Sequence, residues 1–471
     1  MRRSKKIYIL LCILAITTIA TYAVKQYEEH KEKIRNSEEV ILQIPKDSVK
    51  SLSWEYKSED KKESFAFHKD DKWVYDEDEL FPVDEEKIND LLDLFEEFRA
   101  SFEIEDVDDY GQYGLDDPIC TINLTTDEKS YKILVGDYSI MDSQRYVSIG
   151  DGKVYLVKED PMEHYEIVLS DLINHDKTPI FNNNVTKIQF KGTENYNVVY
   201  EKDSNKSYNV DDVYFAKIDG KELPLDTTRV NSYLSRISQL NLKDYVTYKA
   251  TDEDLIKYGL DKPELTVTID YTTKKDNEEK TNTFVLKISR DPEEKNNIEN
   301  KDEDSKDEKI TAYVRVGDSK IIYKISSDKY KNLMDASYNS LRHTEAFYGD
   351  FDDIKQIDIS LEGVTYTITS EEKDDKKIYY YKDKEIDTTD LRTALRNLKA
   401  ESFTDERPTQ KKEIGLKLYL DNEKFPEIKI ELYRYDGTNC LAVIDGEPTS
   451  LIKRSKVVDL IESIHAIVLN K

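Results

Sequence analysis

Several residue types are scarce in this sequence, and each scarcity closes off a class of function. Three cysteines occur in 471 residues, and none stands in a CxxC or Cys/His ligand spacing, which argues against a structural zinc site. Cys12 lies in an N-terminal apolar run; Cys120 and Cys440 fall in expected strands, as two unpaired buried thiols or, outside the cell, as a disulfide. The six histidines, His30, His68, His164, His175, His343 and His465, form no H-x-x-x-H or H-x-H pair. A metal or acid–base site built on them is therefore disfavoured. No G-x-S-x-G, P-loop or G-x-G-x-x-G is present, so no catalytic residue and no cofactor site is assigned. Positive charge is the minority sign. The formal net charge is −28, and four basic residues, Arg2, Arg3, Lys5 and Lys6, sit in the N-terminal tip, which leaves −32 on the rest. Such a body repels nucleic acid and anionic lipid and suits cations or a basic partner. Glycine and proline are scarce too, at 14 and 11, whereas tyrosine is abundant at 33. That balance fits strands with half-buried aromatic faces.

A thirteen-residue pattern is present three times, starting at Val83, Leu225 and Ile386. An apolar residue precedes an aspartate, Asp84, Asp226 or Asp387, and apolar residues follow at helical spacing. They are Ile88, Leu91, Leu92 and Phe95; Val230, Tyr233, Leu234 and Ile237; Leu391, Ala394, Leu395 and Leu398. The aspartate stands where an N-cap belongs, and the apolar residue before it suits a hydrophobic staple. The aspartates lie 142 and then 161 residues apart, an excess of 19. Residues 291–309 are 19 residues with Ile298 as the one apolar member, and read as a disordered acidic insertion.

The organisation expected is a basic cytoplasmic tip and transmembrane signal anchor over residues 1–24. A charged stalk follows over 25–43, then repeat units at 44–183, 184–350 and 351–471. The anchor rests on Ile7 to Val24, eighteen positions without charge behind four basic residues, with a cleaved signal peptide as the second reading and lipidation at Cys12, disfavoured by the bulky Leu11 before it, as the third. The basic flank stays cytoplasmic and the body lies outside the cell membrane. The fold class is α+β: a tandem repeat of about three units, each a mainly antiparallel sheet with two covering helices. The third unit is divergent, its loop being reduced to Ile414-Gly415-Leu416.

The best candidate for a ligand loop is Asp106-Val-Asp108-Asp109-Tyr-Gly111 with Asp117 at position twelve. Asp106, Asp108 and Asp117 imitate calcium ligands, but Tyr110 stands at position five and Asp117 replaces the bidentate glutamate. A solvated acidic turn is the simpler reading.

Tyr113-Gly114-Leu115-Asp116-Asp117-Pro118 and Tyr258-Gly259-Leu260-Asp261-Lys262-Pro263 each follow a capped helix. Each is followed in turn by a hairpin, Tyr146 to Asp151 or Tyr313 to Asp318. This combination resembles the domain-of-unknown-function family 4340. The resemblance implies a bacterial protein with one N-terminal membrane span and an extracytoplasmic body, in some cases encoded beside export-type ABC transporters like those of gliding motility. It carries no activity, cofactor or catalytic residue. The expected function is that of a non-enzymatic membrane-anchored binding or scaffold protein, with an ABC-transporter subunit or envelope component as partner. An envelope hydrolase with a cleft between units, and a passive spacer, are the alternatives.

Overall fold

The computed structural model describes residues 17–18, 20–22, 39–58, 61–182, 184–275, 278–298, 310–374 and 376–469. Most of the apolar run Ile7 to Val24, and the stalk up to residue 38, lie outside the described residues. Among the described residues no helix is long and apolar enough to cross a membrane. The chain divides into two compact units. One is Met1–Asp176 with Thr247–Lys249; the other is Lys177–Val246 with Ala250–Lys471.

Three large antiparallel sheets carry the fold, and they share no strand. In the second sheet a front meander runs Val185–Gly192, Tyr196–Tyr200, Tyr214–Ile218 and Lys221–Pro224. The capped helix Thr227–Ser238 follows, and the short strand Tyr245–Thr247 is placed at the far edge. A back meander, Leu265–Lys275, Glu278–Arg290, Ala312–Val316 and Ile322–Ile325, then returns with its first strand beside Val185–Gly192. The third sheet repeats that order, from Ile354–Leu361 to Glu447–Lys453 with Ala400–Phe403 at the far edge. The first sheet has the same order without the fourth front strand, ending in front at Trp73–Tyr75 and carrying Phe102–Ile104 at the far edge. A separate pair joins Glu39–Leu42 to Phe98–Ala100.

Alternation decides which sheet face is buried. Leu52, Trp54 and Tyr56 of Val49–Ser58 are buried, and their neighbours are more exposed. All twelve stripe residues named above are buried, so each helix lays its apolar face on its sheet. Closing segments cover the helices, and buried tyrosine hydroxyls tie them down. Tyr165 donates to the Leu91 carbonyl at 2.8 Å, and Tyr233 to that of Leu333 at 2.9 Å. The first unit's second covering helix is not continuous as expected but consists of Met162–Tyr165 and a 3-10 turn, Leu169–Asp171. The second is split into Ser327–Met334 and Tyr338–Leu341, whereas the third is the continuous Arg454–Leu469.

Two further expectations need correction. Residues 291–309 are not disordered from their start: Pro292–Ile298 is a helix. Asp291 accepts from the Glu293 N–H at 2.9 Å, and Glu294 accepts from Thr311 N–H at 2.8 Å, so local polar contacts replace the missing apolar ones. Residues 299–309 lie outside the described residues. Ile414-Gly415-Leu416 is no reduced loop either. It lies inside the strand Lys412–Leu420, paired with Leu432, Glu431 and Ile430, because its apolar alternation outweighs the glycine.

Candidate functional site

The two Tyr-Gly-Leu loops are built alike. Gly114 has φ +69° and Gly259 φ +71°, a conformation that a side chain opposes. A Cβ on Gly259 would stand 2.8 Å from Ser289 Oγ. Leu115 and Leu260 are buried, and the half-buried Pro118 and Pro263 lead into Cys120–Thr126 and Leu265–Lys275. The tyrosines meet the hairpins. The Tyr113 and Tyr146 ring centres are 5.0 Å apart, and those of Tyr258 and Tyr313 4.7 Å. In the second sheet this contact belongs to a small core of Ala250, Leu260, Tyr313 and Ile322, on the face opposite the capped helix. The family-like motifs thus pack on one another.

The capping aspartates act as expected in two of three places. Asp84 accepts from Glu86 and Lys87 N–H, and Asp226 from Thr228 and Arg229 N–H. Asp387 differs, because Thr389–Arg396 begins one residue later with Thr388 as N-cap. The Asp387 carboxylate accepts from the N–H and hydroxyl of Thr389, which hold it below the ordinary aspartate range. The calcium candidates are not brought together. Asp106 has φ +52° and is exposed, as is Asp108, while Asp117 is bonded to Lys57. Among the described residues no three His, Cys, Asp or Glu side chains are grouped as a metal site requires. Cys120 and Cys440 are free and buried, and burial pushes each thiol up to about 12.

A cluster with no motif in the sequence is more distinctive. Residues 342–350 link the second sheet to the third inside the second compact unit. Backbone bonds fix this linker: Asp226 N–H to the Leu341 carbonyl at 3.0 Å, Ala346 N–H to that of Leu398 at 2.8 Å, and Ala400 N–H to that of Thr344 at 2.8 Å. His343 is thereby held with Nε2 2.9 Å from Asp212 Oδ1 and Nδ1 3.9 Å from Asp226 Oδ2. The Asp212 side chain is 1% exposed. It also accepts from the Ser207 hydroxyl at 2.6 Å and from Asn209 Nδ2 at 3.3 Å. The His343 ring lies flat on Tyr348, 3.9 Å between centres, and Tyr348 lies on Tyr208 at 4.3 Å. Burial raises both phenols, so neither is poised to ionise. Tyr208 comes from a loop of the second sheet yet is buried in the core of the third.

This cluster borders a cavity of about 320 Å³. Its charges are largely satisfied within the protein: Glu345 with Lys399 at 2.9 Å, and Arg392 with Asp352 at 2.6 Å. Burial alone would raise the Glu345 carboxyl, but Lys399 and a backbone N–H outweigh it and hold the group low. Among the described residues no serine, threonine or cysteine lines this cavity, although Thr344, Thr449 and Ser450 line a smaller one on the same histidine. Asp212 and His343 are 131 residues apart, so no spacing rule could have joined them. The one signal was the aromatic density of Phe347, Tyr348 and Phe351 just after a closing helix.

The fold and its two loop–hairpin contacts define a class: α+β chains of antiparallel sheets, each backed by a capped helix. The family described as a domain of unknown function, DUF4340, matches residues 73–263 and 217–418. The chain belongs to that family. The first match starts at the front strand Trp73–Tyr75 and ends at Pro263, just before Leu265–Lys275; the second starts within Tyr214–Ile218 and ends within Lys412–Leu420. No curated protein and no solved structure matches the chain.

Proposed function

We propose that this protein is a membrane-anchored, extracytoplasmic binding or scaffold protein and not an enzyme. The observation that carries this reading is the His343 arrangement. His343 Nε2 is held 2.9 Å from the buried Asp212, its ring lies flat on Tyr348, and the Ser207 hydroxyl is already given to Asp212, so the group is tied into the linker and the second sheet. The cluster is better suited to bracing two sheets. Three sheets with one strand order act as three copies of a unit, which multiplies surface rather than chemistry. The run Ile7 to Val24 serves as the anchor, and the partner is a membrane subunit of an ABC-type transporter or another envelope component. Net charge of −28 suits a partner with a basic face. Mild crosslinking in intact membranes, followed by purification, tests this. A stoichiometric partner is expected, and recovery of the chain alone at normal abundance overturns the reading.

A cell-envelope hydrolase is the second reading, favoured only by the 320 Å³ cavity beside His343. Incubation of the purified body with cell-wall polymer decides it. Release of soluble fragments, abolished in His343→Gln, would replace the binding reading with the enzymatic one.

A further inference from the structure

In the first sheet, the turn between Ser130–Ser139 and Gln144–Ser148 holds Ile140 and Met141 side by side, 87% and 91% exposed. Tyr138 beside them is also exposed. Leu80, Val168, Ile180, Val210 and Ile256 are exposed too, but singly, as on any protein surface. The paired tip is different, and its base is rigid. Arg145 grips Asp160 through Nε at 3.0 Å and Nη2 at 2.7 Å, and donates to the Gly136 carbonyl at 3.3 Å. Its guanidinium lies 5.1 Å over the Tyr138 ring. Within the turn the Ser139 hydroxyl donates to Asp142 at 2.8 Å. The backbone that carries the apolar pair is therefore tied down before any partner arrives, which lowers the ordering cost of binding. Asp137 and Asp142 flank it, both exposed. The matching turn of the third sheet, 435–438, reads Tyr-Asp-Gly-Thr, and that of the second holds the acidic insertion.

We propose that this tip is a docking element: Ile140 and Met141 enter an apolar pocket on a partner protein, and Asp137 and Asp142 meet a cationic rim around it. The proposal rests on the binding reading above and names its contact. Charge selects the occupant. Anionic lipid headgroups oppose both the flanking carboxylates and a chain of net charge −28, and a second copy carries the same sign. A central apolar anchor with a charged rim is the usual anatomy of a specific protein interface.

The test places a photocrosslinking amino acid at position 141 of the full-length protein in living cells. One protein adduct is expected, with its attachment site mapping beside lysines or arginines of the partner. The yield should fall about tenfold or more when Asp137→Lys and Asp142→Lys are introduced together, since like charges then meet at the rim. The same probe at Val210, 86% exposed, should give no such adduct. An unchanged melting temperature of the charge-reversed variant shows that the fold is intact. A lipid adduct, an adduct of twice the chain mass, or a yield indifferent to charge reversal overturns the proposal. Lysine-reactive crosslinking of the same cells separates the two levels. A partner recovered through lysines, without any adduct from position 141, refutes the tip and leaves the binding reading standing. No partner by either route refutes both.

Discussion

In the second sheet, Tyr313 packs at an incline against Tyr258 of the Tyr-Gly-Leu loop; at the same register position of the third sheet stands Leu441, with no such loop before it. The tyrosines are absent together, as expected of residues whose purpose is mutual packing. An ion pair on a buried glutamate behaves differently. Glu264 bonds Arg290 at 3.0 Å in the second sheet, and Glu413 faces Arg434 at 3.7 Å in the third. These residues are register equivalents, one place before the strand pairings of Leu265 with Ile288 and Ile414 with Leu432, and two places after them. In the first sheet those places hold Ile119 and Asp137, while Arg145 pairs with Asp160 instead. The strand order thus outlasts any one polar pair, because sheet pairing depends on alternation and a buried pair depends only on having a partner.

The largest expected effect breaks the ion-pair comparison. Arg290→Met leaves Glu264, 6% exposed, with Tyr330 at 2.7 Å and Lys295 at 3.4 Å as side-chain partners. A loss of about 2 kcal/mol is expected, below the range for a wholly uncompensated buried charge, because Arg290 is part-exposed and Lys295 remains. Arg434→Met should cost less, about 1 kcal/mol or below, because Arg434 stands 3.7 Å from Glu413 and is 41% exposed, and Arg454 remains at 3.2 Å. Urea unfolding of both variants gives the two values, and equal losses would mean that Arg454 does not substitute.

The same pair sets a pH dependence. Burial alone would raise the Glu264 carboxyl, but the Tyr330 hydroxyl, the Arg290 N–H and the Arg290 guanidinium outweigh it and hold it below the usual 4.5. A depressed carboxyl contributes stability above its unfolded-state value and loses it as pH falls through the folded-state value. The wild-type chain should therefore lose more stability than Arg290→Met on acidification from about pH 5 to pH 3. Parallel unfolding curves across that window would remove Glu264 as the source.

Glycine offers the next comparison. Gly259→Ala places a side chain at φ +71° with a Cβ 2.8 Å from Ser289, and about 2 kcal/mol of destabilisation is expected. Gly415→Ala sits in an extended strand whose nearest outside atom is 3.7 Å away, and should be neutral or gain about 0.5 kcal/mol. Melting of the two variants measures whether position in the fold or residue type governs the cost.

What the sequence made legible was everything with a short period. Helix stripes, aspartate caps and hairpins each lie within about a dozen residues, and the stripes all point inward as their spacing requires. Contacts closed by strand register were not legible. Tyr113 and Tyr146 are named by their motifs, but only the pairing of Cys120–Thr126 with Ser130–Ser139, and of that strand with Gln144–Ser148, brings their rings together. Tyr208 was invisible as a core residue because it belongs to a polar loop, and its aromatic partners come from far along the chain, Phe347 and Tyr348 from the linker after Leu341 and Phe425 from the third sheet. The Gly415 misreading has the same origin. A glycine between apolar residues looks alike in a loop and in a strand until its neighbours across the sheet are known.

The smallest effect sharpens the tyrosine comparison. Tyr313→Leu gives the second sheet the residue that the third carries at this place. It removes a ring pair at 4.7 Å and the Tyr313 hydroxyl's bond to Asp291 at 3.1 Å. Burial, and then that bond, push this phenol up to about 12, so a neutral hydroxyl is what is lost. About 1 kcal/mol is expected, mainly the aromatic pair. Tyr258→Leu should cost a similar amount, and the double variant barely more than either alone, since both singles remove one contact. A double-mutant cycle in urea reads the coupling directly. Additive losses would mean that each tyrosine is held by its own surroundings, and that their joint absence from the third sheet does not follow from their contact.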